Sequence, residues 1–254
     1  MFDIAIRAAK EAGKIQKEYL HKKKKIYFKG EINLVTEVDR LCERRIIELI
    51  LSKFPDHGIL AEEGADHPSC SDYKWIIDPL DGTTNYAHGY PCFCTSIALE
   101  KNREIIYGVV YNPMLDELFY AEKNKGATLN GTPITVSTIS DLDKSLLVTG
   151  FPYDIRENPT HNLKHFKNFI MKAQAVRRDG SAALNLCYVA AGRFDGFWES
   201  KLYPWDMAAG ALIIAEAGGT LSLYKGKKFN VYTEEIVASN GKIHKQMLKV
   251  LSKK

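Results

Sequence analysis

Cysteine is scarce in this sequence, and its spacing excludes two kinds of stabilising framework. The five cysteines form an odd set without a CxxC pair: Cys42, Cys70, Cys92, Cys94 and Cys187. Disulfide frameworks of secreted proteins and structural zinc sites both rely on paired cysteines, so neither fits this pattern. We therefore expect buried free thiols in a protein of the reducing cytoplasm.

Long apolar runs and a large net charge are also absent. The longest apolar run, residues 207–215 with the glycine included, is less than half of the about 20 residues that a membrane-spanning helix requires. The 35 basic and 31 acidic residues leave a formal net charge of +4, too small to indicate a nucleic acid or an anionic membrane as partner. The charged N-terminus lacks the apolar segment of a secretory signal. We expect a soluble cytoplasmic protein without a membrane partner.

Several familiar catalytic loops are missing too. Gly126 and Gly131 have the glycine spacing of a phosphate-binding P-loop, but Thr132 stands where that loop requires lysine. Neither a GxSxG nor an HExxH motif occurs. One basic run, residues 22–25, follows the first predicted helix, where the helix dipole favours cations, so we interpret it as a solvated helix end. A binding module that uses this run stays open as the non-enzymatic alternative.

The residues that are present predict a mixture of helices and strands. Apolar periodicity predicts helices over residues 2–20, 38–54 and 181–191, from Asp206 to the glycines at 218–219, and after Asn240. Short apolar or alternating runs predict strands at 59–61, 75–77, 95–99, 105–111, 118–121 and 194–199, with a hairpin at Asn130-Gly131. Helices at both ends with strands between and among them are typical of a layered α+β fold.

Two aspartates stand close together at the end of the apolar stretch WIIDPLDGTTN, residues 75–85. No lysine or arginine lies between Lys74 and Lys101, so nothing local neutralises Asp78 and Asp81. Two carboxylates about 4 Å apart repel each other by roughly 4 kcal/mol at an effective dielectric constant of about 20. A positive charge must therefore be supplied from elsewhere.

Proline and glycine shape the predicted loop. Pro79 cannot donate to a sheet, so we expect the strand to end at Asp78 and a helix to begin within residues 82–85. The free N–H groups of a helix start suit a phosphate oxygen. For each aspartate taken alone, the commoner interpretation is a helix cap at Asp81 and a turn at Asp78.

Other carboxylates also stand at the ends of predicted elements. Glu62 and Glu63 follow a strand, while Asp39 and Asp206 stand where helices begin. Oxygen ligands from several element ends are typical of sites for hard divalent cations. A single acid or base accelerates a reaction by only about 10²–10⁴-fold, whereas paired metal ions activate water, neutralise phosphate and stabilise the leaving oxygen. The acidic loop is therefore a candidate metal site.

Three motifs, in order, give the sequence a resemblance to the inositol monophosphatase family of metal-dependent phosphomonoesterases. They are the Glu62-Glu63-Gly64 segment, WIIDPLDGTTN at 75–85, and PWDMAAGALIIAEAGG at 204–219. The string DPxDGTTN is highly specific, and DGTTN is more similar to inositol monophosphatases than to archaeal fructose-bisphosphatases. The resemblance implies one catalytic domain over residues 1–254. It further implies an α-β-α-β-α sandwich of the inositol monophosphatase/fructose-1,6-bisphosphatase type, with two α+β halves that divide near residues 140–150.

The resemblance also implies a set of metal ligands. Glu62, Asp78 and the backbone carbonyl of Leu80 would bind a first Mg²⁺. Asp78, Asp81 and Asp206 would bind a second, with Asp78 bridging the two. The family implies two or three Mg²⁺ in each active site and inhibition by Li⁺.

Catalytic and substrate-binding residues follow from the same resemblance. Asp39 and Thr83 match the pair that, with Glu62, activates the attacking water, and Glu199 matches the position that binds inositol hydroxyls. The substrate-binding residues implied in full are Asp81, Gly82, Thr83, Gly180, Ser181, Ala182, Glu199 and Asp206. Glu63 could be an additional metal ligand or a hydrogen-bond acceptor for groups around the ligands. Arg177 and Arg178 could bind a substrate phosphate or form structural ion pairs.

The expected function is Mg²⁺-dependent hydrolysis of a small phosphorylated polyol, myo-inositol monophosphate first, by a cytoplasmic homodimer. Fructose 1,6-bisphosphate, histidinol phosphate and nucleotide 3′-phosphates are the alternative substrates within the family. An aspartyl-phosphate mechanism of the haloacid-dehalogenase type requires DxDGT, whereas two residues separate Asp78 from Asp81. The sequence therefore favours direct attack by water.

Overall fold

The structure is a computed structural model that describes residues 1–22, 26–28, 34–64, 66–68, 71–157 and 160–252. Cys70 and the lysines at 23–25 lie outside the described residues. Helices of the described chain are α1 Phe2–Tyr19, α2 Glu37–Leu51, α3 Thr83–Ala87, α4 Thr160–Ile170, α5 Ala182–Ala190, α6 Pro204–Glu216 and α7 His244–Leu251.

The strands form one short pair and two larger sheets. The pair is β1 Ile26–Phe28 with β2 Leu34–Thr36, antiparallel. The first large sheet lies in chain order: β3 Gly58–Ala61, β4 Tyr73–Asp81, β5 Cys94–Lys101, β6 Glu104–Asn112, β7 Glu117–Glu122, β8 Ala127–Leu129 and β9 Thr132–Pro133. The second contains β10 Leu146–Thr149, β11 Ala175–Arg177, β12 Gly196–Ser200, β13 Thr220–Ser222 and β14 Glu235–Ser239, in the order β11-β10-β12-β14-β13.

Helices cover both faces of both sheets, which gives the expected α-β-α-β-α layers. Helices α1 and α2 pack on one face of the first sheet, and α6 packs on the other. Helix α5 joins α6 to the second sheet, which also carries α4 and α7. Along β4, Ile76 belongs to the core beside α5 and α6, while Trp75 and Ile77 belong to the core beside α1 and α2. A strand buried on both faces needs apolar residues without alternation, as β4 has.

The predicted hairpin, the five predicted helices and the predicted strands are present, but other elements were missed. Helix α4 and strands β1, β2, β10, β11, β13 and β14 had no prediction. The strands are three to five residues long, too short to show a clear pattern, whereas α4 is amphipathic and its periodicity was overlooked. Cys42, Cys94 and Cys187 are buried free thiols as expected, and Cys92 is half-buried. No helix in the described ranges is long and apolar enough to cross a membrane.

The prediction that the strand ends at Asp78 is wrong. Pairing with β5 is interrupted after Asp78 and resumes at Asp81, opposite Cys94, so the strand continues through an irregularity. Pro79 lacks an N–H and breaks the ladder locally, but the chain on either side stays extended. The helix expected after this loop is α3, five residues long, with Gly82 as its cap at φ 95°.

We propose that the described layers form a single domain whose two halves divide near residues 140–150. The first sheet ends at Pro133, and the second begins at Leu146. One apolar core, which includes Ile76 of the first sheet and Phe197 of the second, lies between the sheets. Halves that share a core in this way are expected to unfold together.

Candidate metal centre

Three carboxylates from two elements meet in one place. Asp78 and Asp81 come from the end of β4, and Asp206 is the third residue of α6. Each offers one oxygen, and these oxygens all lie within 4.8 Å of one another. Because Asp78 and Asp206 are 128 positions apart in the chain, only the packing of α6 on the first sheet brings them together.

Local backbone geometry orients the two aspartates of β4. Oδ1 of Asp78 accepts a 2.9 Å hydrogen bond from the N–H of Leu80, which holds the side chain over the irregularity in the strand. The side chain of Asp81 is held by a distant element. Its Oδ2 accepts hydrogen bonds from Ser181 Oγ at 2.6 Å and from the N–H of Ala183 at 2.8 Å. Asp81 thus lies at the N-terminus of α5, where the dipole favours a negative charge.

Asp206 is fixed by the start of its own helix. Its Oδ2 accepts a 2.7 Å hydrogen bond from the N–H of Tyr203, the residue before α6. Pro204 occupies the first position of the helix, where its missing N–H is not needed. The sequence YPWD therefore both begins the helix and aims a carboxylate at the cluster.

The three carboxyl groups cannot all be ionised at this site unless a cation balances their charge. Burial raises the pKa of Asp78 far above its ordinary range, and the charges of Glu62, Asp81 and Asp206 raise it further. Burial likewise raises the pKa of Asp206, again with Glu62 and Asp81 contributing. The pKa of Asp81 is raised by burial despite its hydrogen bonds to α5. Such a group either holds protons or binds a cation, and all-oxygen donors suit Mg²⁺.

The other two predicted ligands lie beside the three carboxylates. Glu62 is half-buried in the wall of the same cavity and follows β3, which pairs with β4. It lies outside the group of three oxygens, yet its charge is the largest neighbouring influence on the pKa values of Asp78 and Asp206. The carbonyl of Leu80 accepts a 3.0 Å hydrogen bond from Thr83 Oγ1, and Leu80 also lines the cavity.

Asp39 and Thr83, which the resemblance paired, are in direct contact. Thr83 Oγ1 lies 2.9 Å from Asp39 Oδ1, while Oδ2 of Asp39 accepts from the N–H of Thr36 at 2.8 Å and from its hydroxyl at 2.5 Å. The bond from the Thr36 N–H is one half of the capping box that begins α2; in the other half the Thr36 side chain accepts from a backbone N–H of the helix. Burial raises the pKa of Asp39 to about 6. Thr83 lines the cavity and Asp39 lies behind it.

A cavity of about 350 Å³ opens over the cluster. Its wall includes the predicted substrate-binding residues Gly82, Gly180, Ser181, Ala182 and Glu199. Burial raises the pKa of Glu199 to about 8, with the charge of Asp81 also raising it and Arg178 opposing the shift. A side chain at position 150 would overlap the Glu199 carboxylate, so Gly150 provides the room that this carboxylate occupies.

Several residues of the cavity were not predicted from the sequence. They are Gly150, Phe151, Pro152 and Tyr153 after β10, and Lys201, Leu202 and Tyr203 after β12. Arg178, whose role the sequence left open, is exposed and lines the cavity. The N–H of Glu63 donates to Glu43 Oε2 at 2.8 Å. The loops after β10 and β12 carry no motif, so no local signal could have assigned them to the site.

Asn85 is a further residue whose contacts sequence reasoning missed, although it belongs to the DGTTN string. Its Nδ2 donates to the carbonyl of Cys92 and to the carbonyl of Asp179, each at 2.7 Å. The second bond ties the loop after β4 to the residue just before Gly180, which has a positive φ of 84°. Asn85 therefore connects the acidic loop with the predicted substrate-side loop.

Known proteins resemble this chain over nearly its whole length. The sequence pattern of the inositol monophosphatase family matches residues 1–254. The inositol-1-monophosphatase of Synechocystis sp. is 48% identical over 98% of this chain and 88% of its own length. A protein of Aquifex aeolicus named fructose-1,6-bisphosphatase/inositol-1-monophosphatase is 42% identical over 99% of this chain and 95% of its own. A Salmonella typhimurium protein named Nus factor SuhB is 42% identical over 98% of this chain and 94% of its own.

A solved structure agrees with the layered fold. The inositol monophosphatase of Anabaena superposes on this chain with a TM-score of 0.90 at 46% identity. The superposition covers 98% of this chain and 94% of that one. The similarity therefore includes both sheets and the helices around them.

Proposed function

Because this chain belongs to the inositol monophosphatase family, and is therefore a phosphoric monoester hydrolase, we propose that it hydrolyses a small polyol monophosphate in a Mg²⁺-dependent reaction. The substrate that we propose first is myo-inositol monophosphate. The observation that supports this proposal most directly is the convergence of Asp78, Asp81 and Asp206 within 4.8 Å at the base of a cavity.

The donor set supports two cation positions. Glu62, Asp78 and the carbonyl of Leu80 would hold one Mg²⁺. Asp78, Asp81 and Asp206 would hold another. A third Mg²⁺ is possible, since the family implies two or three in each active site. Bound Mg²⁺ would supply a water of lowered pKa, neutralise phosphate charge and stabilise the leaving oxygen. Li⁺ is expected to inhibit by competing for one of these positions.

Thr83, Asp39 and Glu62 would orient the attacking water. The single hydroxyl proton of Thr83 has two acceptors in reach, Asp39 Oδ1 at 2.9 Å and the carbonyl of Leu80 at 3.0 Å. With the Leu80 carbonyl engaged by a cation, the hydroxyl of Thr83 would donate to Asp39 and would keep a lone pair free to accept a hydrogen bond from water. Asp39, with its pKa of about 6, is ionised at neutral pH and can hold the hydroxyl in this orientation.

The leaving-group side of the cavity would recognise hydroxyls. Glu199 is buried in the wall, and its pKa of about 8 leaves much of the carboxyl protonated at neutral pH in the metal-free protein. It can therefore either donate or accept a hydrogen bond, which suits a polyol. We propose that Gly82 contacts the phosphate end of the substrate, that Asp81 and Asp206 would contact it through bound cations, and that residues 180–182 contact the other end.

The alternative substrates share the phosphate chemistry and differ in the leaving group. The name of the Aquifex relative makes fructose 1,6-bisphosphate the first alternative, followed by histidinol phosphate and nucleotide 3′-phosphates. The Salmonella relative is named a Nus factor. In the described part of this chain, however, the charged side chains that line the cavity are mostly carboxylates and not a row of basic side chains. We therefore propose a small phosphorylated partner and not a nucleic acid, and a cytoplasmic homodimer.

Phosphate release from a panel of substrates tests the proposal. Inositol 1-phosphate, fructose 1,6-bisphosphate, histidinol phosphate and 3′-AMP are compared by kcat/KM with Mg²⁺ and after removal of metal with EDTA. We expect the highest value for inositol 1-phosphate and no turnover without metal. Asp81→Asn should abolish turnover, whereas Ser145→Ala should not. Activity that survives EDTA or Asp81→Asn contradicts the two-cation assignment.

A further inference from the structure

One polar side chain interrupts the buried face of α1. That face consists of small and apolar residues such as Ala5, Ala8 and Ala12, which pack against the first sheet, but Gln16 continues it and is fully buried. Burying an amide in an apolar layer is unfavourable unless the amide makes hydrogen bonds that are needed there. The position of Gln16 therefore requires an explanation.

Gln16 reaches the acidic loop. Its Nε2 donates to the carbonyl of Pro79 at 2.8 Å and to Thr95 Oγ1 at 2.9 Å. Thr95 Oγ1 donates in turn to the same Pro79 carbonyl at 3.1 Å. Both amide protons and the hydroxyl proton are thus used in one closed triangle of hydrogen bonds that joins α1, β4 and β5.

The triangle replaces the sheet bonds that the irregularity in β4 removes. Between Asp78 and Asp81 the pairing with β5 is interrupted, so the Pro79 carbonyl has no ladder partner there. A buried carbonyl without a donor is costly, and the two side chains supply two donors. The backbone could otherwise relax by rotating the peptide that Pro79 and Leu80 share.

That rotation would disturb the predicted ligands. The next carbonyl along the chain is that of Leu80, which accepts a 3.0 Å hydrogen bond from Thr83 Oγ1 beside the cavity, so a rotation of the preceding peptide would displace it. The Leu80 N–H is the donor to Asp78 Oδ1 at 2.9 Å, so the same peptide also orients that carboxylate. The peptide that Pro79 and Leu80 share therefore orients the Asp78 carboxylate directly and is followed at once by the proposed carbonyl ligand of Leu80.

We propose that Gln16, together with Thr95, is a positioning residue of the metal centre and raises its affinity for divalent cations without touching the ion. This inference rests on the proposed function, because it takes the acidic cluster to be the cation site. Stability alone does not explain Gln16, since its Oε1 has no hydrogen-bond partner among the described residues. Replacing the amide by an apolar group of similar length should therefore change metal affinity more than folding.

Direct metal binding tests the inference. Mn²⁺ is titrated into EDTA-treated protein, free Mn²⁺ is measured by electron paramagnetic resonance, and Tm is recorded for the same metal-free samples. Gln16→Met and Thr95→Val should each weaken Mn²⁺ binding by about tenfold, the range seen when partners behind metal ligands are removed. Thr95→Ser keeps the hydroxyl and should bind like the wild type. Ser145→Ala loses a partly buried hydrogen bond to the Asp141 carbonyl, just before β10, and is the matched control.

The outcomes separate the two proposals. Wild-type protein that binds Mn²⁺ no better than Asp81→Asn overturns the proposed function and this inference with it. Tight binding by the wild type, with equally tight binding by Gln16→Met and Thr95→Val, overturns the inference alone. Should Gln16→Met fail to fold, Thr95→Val against Thr95→Ser decides. If Mn²⁺ binding weakens in proportion to a lowered Tm in Gln16→Met, Thr95→Val and also Ser145→Ala, the effect is general destabilisation, and the inference is overturned.

Discussion

Ser181 Oγ donates a 2.6 Å hydrogen bond to Oδ2 of Asp81 across 100 positions of the chain. Asp81 ends β4 in the first half, and Ser181 caps α5 in the second. The bond joins the proposed metal ligands to the proposed substrate-side loop. The site therefore forms only when both halves are packed correctly. A substitution in the substrate-side loop should alter the metal ligands, and the reverse.

Asp206→Asn should abolish activity and stabilise the metal-free protein. The amide oxygen can still accept from the Tyr203 N–H, but one charge leaves a cluster in which burial and neighbouring carboxylates disfavour ionisation. At pH 8 without metal we expect the unfolding free energy to rise, because burial and the neighbouring carboxylates no longer act on an ionisable group at this position. Turnover with Mg²⁺ should fall more than about 100-fold. Thermal melts in EDTA and in Mg²⁺ check both parts, and a lower Tm in EDTA would contradict the first.

The metal-free protein should become less stable as pH rises from about 6.5 to 8. Burial raises the pKa of Glu199 from 4.5 to about 8, so the folded state holds a proton that the unfolded chain has already released. Unfolding free energy then falls with pH, by up to about 1.4 kcal/mol per unit for one such group. Raised pKa values at Asp78 and Asp206 act in the same direction.

This pH range is chosen to avoid two histidines. Burial lowers the pKa values of His57 and His244 below 6.5, so these residues make the protein less stable as pH falls below that value. Tm measured in EDTA at half-unit steps of pH checks the slope. Glu199→Gln should flatten it, and saturating Mg²⁺ should reverse it, because ionised carboxylates bind the cation. A Tm that rises with pH in EDTA rules out the acidic cluster as the main titrating group.

Thr83→Val should lower kcat while leaving metal binding intact. The valine keeps the shape of threonine but cannot donate to Asp39 or accept from water. We expect kcat to fall by about 10²-fold, as for other groups that handle a proton, with Mn²⁺ affinity nearly unchanged. Thr83→Ser should restore most of kcat. Adding Asp39→Asn to Thr83→Val should lower kcat only a little further, because the two residues act as a unit. If the two substitutions lower kcat by fully additive amounts, the residues act separately.

Asn85→Ala should raise KM more than it lowers kcat. Its Nδ2 holds the carbonyls of Cys92 and Asp179, and losing both bonds frees the loop before Gly180. At about 1 kcal/mol for each hydrogen bond, we expect KM to rise about tenfold or somewhat more. Asn130→Gly is the matched control, since Asn130 also bonds two backbone groups but lies in a distant hairpin. Equal kinetic effects in the two variants would dismiss a positioning role for Asn85.

Sequence patterns were informative where a feature is local. Periodicity located α1, α2 and the strands of the first sheet, because each of these elements has a face or a stripe that must be buried. The order of three motifs gave the family, and with it the layered fold. Pattern alone failed at Pro79, where the ladder breaks for two residues and then resumes because distant side chains replace its bonds.

The chain by itself determined which residue types are available: a loop with two aspartates and no local cation, helix starts that carry Asp39 and Asp206, and a polar residue in the apolar face of α1. Packing of the layers decided which of these meet. Asp81 bonds to the start of α5 rather than capping α3, Asn85 reaches Asp179, and Gln16 holds the Pro79 carbonyl. The physical reason is range, since propensity and periodicity act over a few residues, whereas these contacts join segments that only the shared apolar cores bring within hydrogen-bonding distance.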